Sequence, residues 1–221
     1  MTRSGSQRSA IMKETTGSSG DKSIARLLGE RKLILASRSP RRAEILRREK
    51  VEFEVRIPSD VEGGNASSDS AKHVLSLSKR KAASVAEKVE DAIVLGADTI
   101  VVLDGEILGK PRNRENAFST LKKLSGRTHR VYTGITLVNK YSGKVISDYD
   151  VTDVKFNQLD DGRIWDYIDT KEPMDKAGAY GIQGMGGFLV ESIQGSLDNV
   201  IGLPTSKLRE MLAKIIGSST I

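Results

Sequence analysis

The chain has 221 residues, 38% hydrophobic content and a formal charge of +6, enough for one ample core or for two lobes around a cleft. It contains no cysteine, which excludes disulfides, thiolate zinc sites and a cysteine nucleophile and accords with a reducing compartment. No apolar run reaches the roughly 20 residues of a membrane-spanning helix, and a 5% aromatic share with basic residues scattered along the chain argues against a nucleic-acid platform, so neither a membrane nor a nucleic acid is expected as partner.

Residues 1–22 are rich in Ser, Gly, Thr and charge and read as a disordered extension; an organelle transit peptide would need an amphipathic period that they lack. We draw the extension at 1–30 and the folded domain at 31–221. A strand-like run at 32–36 breaks into Ser37-Arg38-Ser39-Pro40-Arg41-Arg42. Ser39 suits an N-cap and Pro40 the first helical position, and the free N–H groups of such a helix start, beside Ser37, Arg41 and Arg42, favour an anion.

Further strands are expected at 53–57 and 92–103, with a helix at 70–89 between them in which Val74, Leu77, Val85 and Val89 recur at near-helical spacing. Asp104-Gly105 marks a tight hairpin, so part of the sheet is antiparallel. Asn113 caps a helix through about 124, followed by long strands at 130–138 and 145–158 and a short helix in which Trp165 reads as core. A Gly-dense loop covers 173–187, a strand 188–193, and Pro204 opens a terminal helix that buries Leu208, Met211, Leu212 and Ile215. The chain is α/β. His73 and His129 lack ligand-like spacing and read as surface or packing residues.

Gly96-Ala97-Asp98-Thr99 interrupts an apolar strand, where a carboxylate is costly unless paired, hydrogen-bonded or holding a metal. Glu62 follows the strand ending at Ile57, and with Asp98 it would give the two carboxylates of a magnesium or manganese site that borrows phosphate oxygens. Lys81, Lys110, Ser37, Arg41 and Arg42 complete a cationic lining suited to a triphosphate. No Walker-type Gly-rich run is present, which excludes a P-loop enzyme.

Leu-Ala-Ser-Arg-Ser-Pro-Arg-Arg at 35–42, Gly-Ala-Asp-Thr at 96–99, Gly-Lys-Pro at 109–111, Asp-Lys-Ala-Gly-Ala-Tyr-Gly-Ile-Gln-Gly at 175–184 and Gly-Leu-Pro at 202–204 together resemble the Maf family of nucleoside triphosphate pyrophosphatases. The resemblance implies an elongated two-lobed mixed sheet with a central cleft. It implies cleavage between the α- and β-phosphates, with a divalent metal, in a cytoplasmic enzyme for which a homodimer is one allowed assembly. Asp98 matches the general base, and Ser37, Arg41, Glu62, Lys81, Lys110 and Gln183 match substrate- and metal-site positions; by charge, Lys81, Lys110 and Arg42 are expected to neutralise the departing pyrophosphate. Arg41, Thr99 and Gln183 resemble the branch acting on dTTP and UTP rather than the one acting on methylated guanosine triphosphate. A non-catalytic nucleotide-binding regulator of cell division is the alternative of a different class, distinguished by binding without pyrophosphate release.

Overall fold

A computed structural model describes residues 23–59 and 69–217. Its frame is one seven-stranded mixed sheet: β1 (Leu33–Ala36), β2 (Glu54–Arg56), β3 (Ile93–Leu103), β4 (Glu106–Leu108), β5 (Thr128–Asn139), β6 (Val145–Phe156) and β7 (Val190–Gln194). The order is β2-β1-β3-β5-β6-β7, with β4 hairpinned onto β3. β2, β1 and β3 run parallel, and every pairing from β3 onward is antiparallel. The α/β reading and the partly antiparallel sheet are both met.

β1 is buried along its whole length, as a strand covered on both faces must be, which is why it reads as a continuous apolar run. One face of the sheet carries α3 (Ser70–Ala86), whose Val85, Ala82 and Ala86 pack on Ile34, Ala36 and Val94. Asp69 caps this helix by accepting from the N–H groups of Ala71 and Lys72. The other face carries α1 (Ile24–Leu28), α2 (Pro40–Arg48) and α7 (Thr205–Gly217) over Leu33, Leu35, Leu95 and Ile135. Farther along, α4 (Arg114–Leu124) and α5 (Asp161–Asp169) pack with Val101, Leu103, Val131 and Phe156. Trp165 does join the core side, stacking on Phe118 at 4.8 Å.

Three elements differ from expectation. Residues 23–30 belong to the fold, not to the extension: Ile24 and Leu28 are buried in the main core beside α7, and a five-residue helix is too short to show a period. The 173–187 loop is three 3-10 segments, Glu172–Asp175, Ala177–Ala179 and Gly184–Leu189. A short helix, α6 (Leu197–Ile201), capped by Ser196 Oγ accepting from Asn199 N–H, precedes α7 and was not legible for the same reason of length. The segment 1–22, read as disordered, lies outside the described residues.

Candidate active site

The site begins as a gap in the sheet. β1 pairs with β3 only as far as Ala36 opposite Gly96, and β4 resumes pairing at Val101 opposite Leu108. Residues 97–100 therefore lack a strand on that edge among the described residues, while on the other edge Asp98 and Thr99 stay locked opposite Gly134 and Thr133 of β5. A cleft of about 590 Å³ lies here, of the size that takes a small organic ligand. Its walls are the β1–α2 turn (Ser37 to Arg42), Lys110 beyond β4, His73, Leu77 and Lys81 of α3, and the 3-10 stretch from Asp175 to Gln183.

Glycine sets the distance between α3 and the sheet. A Cβ on Gly96 would lie 2.4 Å from the Ser78 carbonyl oxygen and 2.7 Å from Ala82 N, and one on Gly134 2.5 Å from the Val74 carbonyl oxygen. The helix backbone rests on these two positions, with small side chains at Ser78 and Ala82 turned toward them. That close approach lets Lys81 reach the strand: its Nζ donates to Asp98 Oδ1 at 2.6 Å. The costly carboxylate in an apolar strand is thus paired, as its placement required.

Alternation along β3 sends Thr99 to the opposite side of the sheet from Asp98, where it meets Arg42. Arg42 was expected on a departing pyrophosphate. Arg42 lines the cleft, and its buried guanidinium is also engaged within the protein: Nε donates to the Gly202 carbonyl at 2.8 Å, one Nη to Ser37 Oγ at 3.1 Å and the other to Thr99 Oγ1 at 3.0 Å. Burial lowers its pKa from the ordinary arginine value, and the nearby Asp98 charge partly offsets this. Thr133 Oγ1 donates to the Asn199 carbonyl at 3.0 Å, so the hydroxyl proton of Thr99, 2.9 Å from Thr133 Oγ1, goes to Thr133. Thr99 accepts from Arg42, donates to Thr133, and keeps no proton for a ligand. Thr99 also lines the cleft.

At the helix start, Ser39 occupies the N-cap position without making the capping bond. The buried Ser37 Oγ accepts from Ser39 N–H at 3.1 Å as well as from Arg42, which fixes the turn with Pro40 as the first helical residue. Arg41 reaches across to Asp175, 3.6 Å from its carboxylate, and Asp175 also accepts from Lys176 at 2.6 Å. Lys110 lines the cleft. Gln183 does too, solvent-facing, with its amide not spent on capping the 3-10 segment that follows it.

Of the two carboxylates expected to hold a metal, Asp98 stands in the cleft and Glu62 lies outside the described residues. Among the described residues no three His, Asp or Glu side chains converge as a metal cage. A hard cation here would share Asp98 with phosphate oxygens and water, a mode that suits magnesium, so the donor chemistry fits.

Sequence reasoning missed His73, which stands on the cleft face of α3 in line with Leu77 and Lys81 at intervals of four, and Tyr180, Asp175 and Lys176, which lie in the quoted 175–184 motif. His129 packs as expected: it is buried, with Nε2 2.8 Å from Tyr180 Oη and its ring edge-on to Phe156. Burial lowers its pKa to about 4 and raises that of Tyr180.

The family model described as Maf-like protein matches residues 32–215. The chain belongs to the Maf family. It is 50% identical over 184 residues to a protein of Thermoanaerobacter sp. named dTTP/UTP pyrophosphatase, covering 83% of this chain and 96% of that one. A Clostridium perfringens protein of the same name is 50% identical over 82% of this chain and 95% of its own. Staphylococcus aureus Ham1 protein, a solved structure, is 13% identical with a TM-score of 0.43, covering 85% of this chain and 100% of that one. All five motifs that resemble Maf proteins meet at the cleft. The last does so through Gly202, whose carbonyl accepts from Arg42, and the others line it directly.

Proposed function

We propose that this Maf protein hydrolyses nucleoside triphosphates, dTTP and UTP before others, between the α- and β-phosphates, releasing a nucleoside monophosphate and pyrophosphate. The observation that carries the reading is the Lys81–Asp98 pair set in the strand gap and faced by the Ser37–Arg41 helix start and Lys110. The relatives named dTTP/UTP pyrophosphatase, half identical over most of their length, support it and its pyrimidine preference.

The N–H groups at the start of α2, with Ser37 and Arg41 beside them, bind phosphate oxygens. Lys81 fixes the Asp98 carboxylate through Oδ1, so that Oδ2 orients a water at the α-phosphorus and takes its proton as the new P–O bond forms. The bond to the α–β bridging oxygen breaks, and the negative charge leaves with pyrophosphate beside Lys110 and Lys81. A divalent cation held by Asp98, with Glu62 as the second candidate ligand, supplies charge neutralisation when bound. Arg42 and Thr99 hold the frame, and Gln183 presents a donor and an acceptor to the edge of the base. No described helix is long and apolar enough to cross a membrane, and we place the enzyme with free nucleotides in the cytoplasm.

The test is a panel of canonical and modified triphosphates, methylated guanosine triphosphate included, assayed with magnesium or manganese. Pyrophosphate is the expected first product, fastest from dTTP and UTP. Orthophosphate as first product refutes the assigned bond, and nucleotide binding without any pyrophosphate would establish the regulator instead.

A further inference from the structure

Gln183 sits in a Gly-rich stretch with little side chain of its own to hold it, yet the backbone on either side is pinned by two residues that do not line the cleft. Tyr167, buried on α5, accepts from Gly181 N–H at 3.0 Å and donates to Glu172 Oε1 at 3.0 Å. Glu172 Oε2 accepts from Met185 N–H at 3.1 Å. The two pinned amides are two positions before and two positions after Gln183. Lys171, at φ 62°, turns the chain out of α5 so that Glu172 faces back toward the loop.

The glycines of the stretch are fitted to this pair. A Cβ on Gly186 would lie 2.7 Å from Tyr167 Oη and 2.2 Å from the Gly181 carbonyl oxygen. Gly184, at φ 73°, would carry its Cβ 3.1 Å from Glu172 Oε2. A single connected set runs from here to the phosphate end of the cleft: Lys176 Nζ donates to the Glu172 carbonyl at 2.5 Å and to Asp175, which pairs with Arg41. A carboxylate using both oxygens on one short loop, with a buried phenol bridging it to the same loop, does more than close a turn. It fixes where the intervening amide points.

We propose that Tyr167 and Glu172 form a clasp that positions Gln183, and so act as positioning residues for selection of the pyrimidine base. This rests on the reading of Gln183 as the base contact. Loss of the clasp lets Gln183 wander, which weakens recognition of the base while leaving the phosphate cradle in place.

The experiment compares Tyr167→Phe, Glu172→Gln and Gln183→Ala in the full chain, using dTTP and dGTP as substrates and inorganic tripolyphosphate as a competitive inhibitor that engages only the phosphate end. Tyr167→Phe keeps the buried ring, so the proposal does not depend on whether Glu172→Gln folds well. Both clasp variants are expected to raise KM for dTTP about tenfold and to cut the preference for dTTP over dGTP by a similar factor, the scale of one lost buried hydrogen bond. Inhibition by tripolyphosphate should be unchanged, and Tyr167→Phe added to Gln183→Ala should cost nothing further. If Gln183→Ala erodes base preference while the clasp variants do not, or if they weaken tripolyphosphate equally, the clasp is overturned and the reading of Gln183 stands. If Gln183→Ala leaves base preference intact, both fall.

Discussion

Replacing Asp98 with Asn separates the catalytic role of this carboxylate from its structural one. Asn keeps the shape but leaves the Lys81 ammonium, 2.6 Å away, facing a neutral amide. Breaking a fully buried pair from one side costs about 3–5 kcal/mol, and an exposed pair is worth about 0–1. The Lys81 and Asp98 side chains are 20% and 12% exposed and line the cleft, which places the loss near 1–2 kcal/mol. For a domain of this size that lowers the melting temperature by roughly 2–8 °C. Turnover should fall much further, by about 10²–10⁴-fold, the range for removal of a general base. Adding Lys81→Met removes the stranded charge, so the double variant should recover stability and stay inactive. Melting curves and pyrophosphate release measured on the same preparations decide the matter. A folded Asp98→Asn enzyme with near-normal turnover, or a double variant that regains activity with its stability, would refute the assignment.

Gly96→Ala forces the α3 backbone off the sheet, since its Cβ would lie 2.4 Å from the Ser78 carbonyl oxygen. It should cost about 1–3 kcal/mol of stability and impair turnover by pulling Lys81 from Asp98, whereas Gly109→Ala, whose Cβ meets nothing within 4 Å, should melt like the parent. His129, with a folded pKa of about 4 against 6.5 unfolded, takes up more protons in the unfolded chain between these values; its stabilising contribution is complete above pH 6.5 and lost as pH falls through 4. The loss is about 3 kcal/mol, and urea melts across this window should be flatter for His129→Phe; an unchanged slope would discard the argument. Chelation should abolish pyrophosphate release and added magnesium or manganese restore it, and undiminished turnover in chelator would remove the cation from the mechanism.

The parts of the molecule that sequence revealed are those whose cause is local. The apolar run of β1, Pro40 at a helix start, the Asp104-Gly105 hairpin and the Asn113 cap each follow from a few neighbouring residues, and each stands where expected. Asp98 was legible because a charge in a buried strand demands a partner. The partner was not: from sequence Lys81 reads only as part of a phosphate lining, since nothing in local spacing shows that α3 crosses β3 closely enough for Lys81 to reach Asp98. α1 and α6, at five residues each, are too short for any period to appear.

Arg42 shows why side-chain type and position near a site do not settle a role. Read from sequence, an arginine two places after Ser-Pro at an anion-binding turn belongs on the ligand. In the fold its nearest acceptors are Gly202, 160 residues away, and Thr99, 57 away, and a guanidinium that meets buried carbonyl and hydroxyl oxygens first is held by them. The same geometry decides Thr99, whose proton is committed to Thr133 before any substrate arrives. The residues that line the cleft together are Asp98, whose Oδ1 accepts from Lys81, the start of α2 with Arg41 and Arg42, Lys110, and Gln183, which Gly-rich backbone carries there. The strand gap is the common cause, because stopping β1 at Ala36 and starting β4's pairing at Val101 leaves the middle of β3 without a strand on that edge among the described residues, and Asp98 and Thr99 line the cleft there.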